Sequence, residues 1–231
     1  INAHKNFSKY FAQELSKLCN SKKRFSPSKN FYHELSAQDC SVQLSGELKN
    51  LAIVLMKISN DLRWMNSGPL AGMSEIELKA LQPGSSIMPG KVNPVIPEAV
   101  AMASADVIGN DVSITVAAQS GSFQLNVMLP VIAYNLLKSI NLIAGSMKAL
   151  SKNAIKTFKV NEKNLESSLS KNPILVTALN PIIGYEKAAE IAKKAYKENR
   201  PIIEVAAQET DLSKAKLLKL LDPKKLAKGG I

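Results

Sequence analysis

Aromatic side chains are scarce in this 231-residue chain: they make up 5% of it, with a single Trp, Trp64. A core must therefore be built from Leu, Ile, Val, Ala and Met, which suits packed helices. Histidine is limited to His4 and His33, which argues against a multi-histidine metal centre. The two cysteines, Cys19 and Cys40, lie outside any CxxC or Cys/His cluster. They are expected as reduced thiols rather than as a disulfide framework. No apolar run reaches the roughly 18 residues of a membrane span, and the richest stretch, Leu51 to Met56, stops at Lys57. No charged and then apolar leader with a cleavage site opens the chain, so no secretory signal is expected. The first residue is Ile1 rather than Met, and the expectation is a fragment of a longer soluble protein.

Acidic residues are also in the minority. Thirty Lys and Arg against 19 Asp and Glu leave a formal net charge of +11. Such a balance invites a nucleic-acid reading, but the lysines are spread along the chain. The densest cluster, Lys22-Lys23-Arg24, is short, and no basic stretch interleaves with stacking aromatics. Solvated helix faces account for the charge, and neither nucleic acid nor membrane is expected as a partner. A positive field still favours a small dianionic substrate. Hydrophobic residues reach 45%, enough for a folded core.

The organisation is helical. After a polar start broken by Pro27, with a helical piece around Phe11 to Leu18, the segment from Tyr32 to about Asn66 lacks Pro and has only Gly46. Leu48, Leu51, Ala52, Leu55, Ile58 and Leu62 recur there at helical spacing. Ile53, Val54 and Met56 add apolar character on other sides, so this helix is expected inside a bundle. Asn66-Ser67-Gly68-Pro69 ends it, and residues 67 to 93 read as a long loop rich in Gly and Pro. Loops of that length inside compact proteins are often functional. A second helix is expected after Pro94, with Pro97 in its first turn, and a third near Pro130. Beyond about Phe158 the elements shorten and gain charge: Asn161 to Leu169, Tyr185 to Lys197, Pro201 to Ala207 and Asp211 to Leu221, with Asp211 and Ser213 as N-cap candidates. The expected fold is all-α, with a helical-bundle domain over 1–158 and a small helical domain over 159–231. No period-2 run reads as a sheet.

The loop segment 84–94 reads Gly84-Ser85-Ser86-Ile87-Met88-Pro89-Gly90-Lys91-Val92-Asn93-Pro94. Lys91 and Asn93 can hold a carboxylate, one by charge and one by amide donors. Backbone N–H groups near Gly84 and Gly90 could hold an anion. A serine among such donors loses its proton more easily than in water, so it could act as a base without a neighbouring histidine. The alternative is a structural Gly/Pro loop whose serines cap helices. A phosphate-binding loop is excluded, because five residues separate Gly84 from Gly90 and Val92 follows Lys91. Ser168-Leu169-Ser170-Lys171 has the spacing of the penicillin-enzyme motif but lacks its companions.

The same segment matches the GSSxMPxKxNP signature of the fumarase/aspartase superfamily at every specified position. Leu55 to Gly68 (LMKISNDLRWMNSG), Gly109-Asn110-Asp111, Phe123 to Val127 and Leu175 to Ala195 (LVTALNPIIGYEKAAEIAKKA) resemble further parts of class II fumarases. The chain is thus similar to the C-terminal half of that family. Gly90, where aspartases typically carry Ala, and the TALNPIIGYEKAAEIAKKA run favour fumarase. Gln124 and Met128 lean towards aspartase.

The resemblance implies a hydro-lyase, a fumarate hydratase of the tricarboxylic acid cycle that interconverts fumarate and L-malate with no metal or organic cofactor. It implies that Ser85 is the base that removes the C3 proton of malate, with Ser86 supporting the loop and the substrate. Lys91 and Asn93 stabilise the resulting aci-carboxylate, and Glu98 orients a catalytic histidine. That histidine sits in the N-terminal half of family members, and neither His4 nor His33 lies in its motif. Family sites combine segments from several subunits of a homotetramer, so this chain can supply only one segment. The implied compartment is the cytoplasm, or the mitochondrial matrix in a eukaryote. The alternatives are an aspartate ammonia-lyase and a catalytically silent fragment with a structural role.

Overall fold

Long helices with one buried stripe apiece dominate the computed structural model, which describes residues 2–19, 24–68, 70–84, 87–88 and 90–229. Two short helices, α1 (Phe7–Leu18) and α2 (Phe31–Ser36), precede α3 (Asp39–Met65). A two-residue strand, β1 (Ile76–Glu77), interrupts the following loop. The helices α4 (Val95–Gln119) and α5 (Leu129–Leu150) come next, α5 running into a π-type turn over Ser151–Ile155. After β2 (Lys159–Val160) the chain is again helical: α6 (Glu162–Ser170), a 3-10 stretch Pro173–Leu179, α7 (Asn180–Ile183), α8 (Tyr185–Glu198), α9 (Ile202–Glu209), α10 (Lys214–Leu220) and α11 (Pro223–Leu226). The chain belongs to two compact units, Ile1–Asn60 with Val95–Lys152, and Asp61–Pro94 with Asn153–Ile231.

In the first unit α5 returns along α4. The residues α4 buries are Pro97, Val100, Ser104, Val107, Asn110, Asp111, Ile114 and Ala117, and α5 buries Ile132, Ser139, Ile143, Ser146 and Leu150. Apart from the adjacent Asn110 and Asp111, steps of three, four or seven residues keep these on one side of each helix, the pattern of a coiled-coil-like seam. On α3 the buried positions Ser45, Ala52, Leu55 and Ser59 follow the same rule. Enclosure of α3 on all sides is not found within one chain: Ile53 and Val54 remain about half exposed, at 51% and 52%. The sequence shows how much of a helix is apolar, whereas burial depends on what surrounds it.

The seams carry buried polar groups; several are partnered, whereas the Ser59 and Ser104 hydroxyls are buried without a hydrogen-bond partner among the described residues. The Ser45 hydroxyl donates to Asp111 Oδ1 at 2.7 Å and the Lys49 ammonium to Asp111 Oδ2 at 2.6 Å. Asn110 Nδ2 donates to Ser139 Oγ at 3.2 Å, and Lys138 pairs with Asp106 at 2.8 Å. Burial pushes the Asp111 carboxyl up, but the bonds from Lys49 and Ser45 and the Lys49 charge outweigh it and hold the group below its ordinary value. These pairs also bear on the apolar character of α4. Val95–Gln119 is long and apolar enough, by length and composition, to cross a bilayer, although Glu98, Asp106 and Asp111 interrupt its apolar run. Its paired carboxylates and its packing against α5 make it a core helix of this unit.

One residue forms the corner between α4 and α5. Asn126, 1% exposed, donates through Nδ2 to the carbonyls of Ala117 and Ala118 at the end of α4, at 3.0 and 3.2 Å. Its Oδ1 accepts from Met128 N at 2.8 Å, just before α5, and its own N–H bonds Leu35 O at 2.9 Å. The helix-end carbonyls are thereby satisfied, that of Ala117 together with Ser120 N.

In the second unit the C-terminal helices pack around Leu179, Ile191, Ile202, Val205 and Leu217, each at 0% exposure. Lys187 and Lys194 of α8 reach Glu209 of α9 at 3.3 and 2.6 Å. Of the two N-cap candidates before α10, Ser213 holds the position and accepts from Lys216 N. The compact units depart from the expected division at residue 158: segment 61–94, with the signature loop, groups with the C-terminal helices. The physical reason is a sheet that was not expected. β1 pairs antiparallel with β2, Ile76 opposite Val160 and Glu77 opposite Lys159.

The Asp111 cluster yields a stability prediction. A carboxyl with a lowered folded pKa contributes stability that is complete above its unfolded pKa and is lost as the pH falls through the folded value. Asp111→Ala should lower stability by about 2 kcal/mol, since hydrogen bonds to charged groups contribute on that scale. Urea denaturation near neutral pH should register this loss, and the gap to wild type should shrink in acid.

Candidate active site

The loop leaves α3 through a tightly bonded root. Ser67 Oγ donates to Trp64 O at 2.5 Å and accepts from Met73 N at 3.0 Å. Ser74 N donates to Ser67 O at 2.6 Å, Glu75 N to Met65 O at 2.8 Å, and Leu78 N to Asn66 Oδ1 at 2.8 Å. Gly72 stacks on this turn so closely that a Cβ there would lie 2.2 Å from the Ser67 carbonyl carbon, so only glycine fits. Ser74 sits at φ 48°, a left-handed conformation that costs a non-glycine residue on the order of 1 kcal/mol. Bonds on both sides of Ser74 hold it there, because its carbonyl accepts from Asn164 Nδ2 at 3.2 Å. Asn161 N adds a bond to Glu75 O at 2.8 Å. Ile76 and Leu78, each 7% exposed, alternate with exposed Glu77 and bury one face of the short strand.

Beyond the root the chain doubles back. Gly84 has φ +128°, and a Cβ on it would lie 3.2 Å from Gly90 N and 3.4 Å from Lys91 O. Lys91 N donates to Met88 O at 3.2 Å. Ile87 is 85% exposed and Met88 and Val92 are also exposed. Lys91 is exposed and Asn93 half-buried, both in this unit. An exposed lysine and an amide two residues on offer a charge and neutral donors, a pair suited to a carboxylate. Ser85 and Ser86, the candidate base and its neighbour, lie outside the described residues, as does Pro89.

Glu98 belongs to the other unit, half-buried in the first turn of α4. That turn has free backbone N–H groups and the positive end of the helix dipole, which favour a carboxylate. His4 and His33 are exposed residues of the same first unit, His33 lying 3.9 Å from Asp39. Among the described residues no group of three or more His, Cys, Asp or Glu is placed to hold a metal. A cavity of about 540 Å³ in the first unit is lined mainly by Phe7, Phe11, Leu15, Phe25, Pro27 and Phe31, and by none of the candidate residues.

Sequence reasoning does not find the residues that hold the loop root. The local pattern marks Asn66 and Ser67 only as a helix end. Asn164 carries no local signal for its role, because its partner is 90 residues away.

Similarity to known proteins covers both units. Residues 1–109 match a family model described as Lyase, and residues 175–228 one described as Fumarase C C-terminus. The chain is 62% identical over 231 residues to fumarate hydratase class II 2 of Pseudomonas aeruginosa, covering 100% of this chain and 50% of that protein. The crystal structure of the fumarate lyase:delta crystallin from Brucella melitensis bound to cobalt superposes with a TM-score of 0.90 at 40% identity, over 98% of this chain and 49% of that one. The recombinant class II fumarase from Schistosoma mansoni superposes with a TM-score of 0.87 at 32% identity, over 98% and 50%. The chain spans about half the length of the relatives it matches.

The contact at Gly84 can be tested directly. Gly84→Ala adds a methyl against Gly90 N at a backbone angle that L residues rarely adopt. It should destabilise the doubled-back loop locally by about 1–2 kcal/mol and speed amide exchange at Lys91. Hydrogen-exchange mass spectrometry reads this, and unchanged protection at Lys91 would show that the loop does not need glycine there.

Proposed function

We propose that the chain is the C-terminal half of a class II fumarase of the fumarase/aspartase superfamily, and that its parent protein is a fumarate hydratase of the tricarboxylic acid cycle. The observation that carries this reading is 62% identity over all 231 residues to a class II fumarate hydratase, running through an unbroken signature at 84–94. Residue roles follow the resemblance. Ser85 takes the C3 proton of L-malate, and the electron pair moves into the adjacent carboxylate to give an aci-carboxylate. The C2–O bond then breaks, and protonated hydroxide leaves as water. Lys91 and Asn93 face the charge that grows on that carboxylate, which is the interaction that accelerates the step. Ser86 supports the loop and the substrate. Glu98 orients a histidine contributed by a segment outside this chain. No metal or organic cofactor takes part in the reaction as read.

The partner in this reading is another copy of the parent protein, in a homotetramer. Support comes from apolar side chains off the buried stripes: Ile53 and Val54 on α3, Val112 and Val116 on α4, and Leu137 on α5, all at least half exposed. Patches of this kind on long helices mark protein contacts. The reading also puts the protein in a bacterial cytoplasm or a mitochondrial matrix. Aspartate ammonia-lyase is the second reading, favoured by Gln124 and Met128 alone.

The full-length protein should form fumarate from L-malate, seen as rising ultraviolet absorbance. Ammonia release from aspartate without fumarate formation from malate would move the assignment to the lyase. Ser85→Ala should lower kcat by about 10²–10⁴-fold, the contribution of a positioned proton acceptor. The 231 residues alone should be inactive, and turnover by them would remove the need for the rest of the site. In size-exclusion chromatography the full-length protein should elute as a tetramer, and Ile53→Asp with Val54→Asp should shift it to smaller species.

A further inference from the structure

The geometry points to Asn164 as a positioning residue for the proposed hydratase: from α6 it holds the root of the signature loop through the Ser74 carbonyl. This inference rests on the fumarate hydratase reading. Every contact it uses lies within the second unit. Asn161 caps α6 by accepting from Asn164 N, which leaves the Asn164 side-chain amide free for another partner. Its Nδ2 reaches Ser74 O at 3.2 Å. Ser74 is the strained residue of the root, at φ 48°, with its N–H already bound to Ser67 O. A residue in that conformation persists only where its surroundings over-determine it. The β1–β2 pair and the Asn161 N to Glu75 O bond lie directly after it, and Leu78 N is tied to Asn66 Oδ1 at 2.8 Å. The C-terminal region thus takes part in setting where the loop starts.

The short stretch of chain beyond the root links this bond to the chemistry. The root ends at Leu78, and six positions on Gly84 packs against Gly90 N and Lys91 O, so the root fixes one end of the segment that carries Lys91. A misplacement near 1 Å can cost up to about 10²-fold in rate. Asn164 touches no reacting atom, so its loss should act through the placement of the loop, whose Lys91 and Asn93 face the charge that grows in the transition state, and therefore more on turnover than on ground-state binding.

Asn164→Asp is the sharpest variant. It keeps the size of the side chain, removes the donor, and puts a carboxylate in the first turn of α6, where the helix dipole favours it. In the full-length protein it should speed amide exchange over residues 74–78 and lower kcat for L-malate by about tenfold, with KM within about twofold. Asn66→Ala, which releases Leu78 N at a separate point, should do the same, and it serves if the first variant folds poorly. Wild-type exchange at 74–78, or an unchanged kcat, in both variants would overturn the assignment. Absence of fumarate formation by the wild-type protein would instead sink the hydratase reading, while the exchange measurement still decides whether Asn164 holds the loop root.

Discussion

Burial along one stripe per helix, set by steps of three and four residues, governs the first unit. Val100, Val107 and Ile114 on α4 and Ile132, Ile143 and Leu150 on α5 supply its apolar contacts. Serines interspersed among them let the helices approach closely, and in the apolar seam polar groups need partners. Asp111, Lys49 and Ser45 meet that need between α3 and α4, as Asn110 and Ser139 do between α4 and α5. A polar contact inside an apolar seam favours one register over its neighbours, because a slip of one turn leaves a charge or an amide unpaired. The same single stripe leaves the other helix faces open, and Ile53, Val54, Val112 and Val116 lie on those faces.

The second unit is organised differently. Its C-terminal helices form a compact core around Leu179 and Ile191, and the loop root is attached by strand pairing and by Asn164. Strain at Ser74 and the close stacking at Gly72 are tolerated because those contacts hold both sides of the turn. Past the root, Gly84 folds the loop back on Gly90, and Lys91 stays exposed. A rigid root and a solvent-facing cation suit a site that takes a small anion from solution.

The candidate residues divide between the units, Lys91 and Asn93 in one and Glu98 in the other, and no histidine accompanies the loop in its unit. For a chain that spans half the length of its relatives, that is a chemically incomplete set. The proposed reaction needs a proton acceptor, a carboxylate holder and a proton donor for the leaving hydroxide. Only the first two are assigned to this chain.

The sequence by itself determined the features written in neighbouring residues. Helical periodicity and the Gly and Pro residues that bound it located the end of α3 and the starts of α4 and α5 to within a few residues, because a helix depends on contacts three and four positions apart. Ser213 was legible as a cap for the same reason. The signature loop was legible because its glycines, serines, Lys91 and Asn93 are contiguous. Only the tertiary structure decided what joins distant segments. The Ile76–Val160 pairing, the Asn164–Ser74 bond and the grouping of the loop with the C-terminal helices all bridge long stretches of chain. Two-residue strands are too short to show a period of two. A single asparagine reads the same whether it caps its own helix or holds a carbonyl 90 positions away. The exposure of Ile53 and Val54 belongs with these: composition sets how apolar a face is, and only neighbours in space decide whether it is covered.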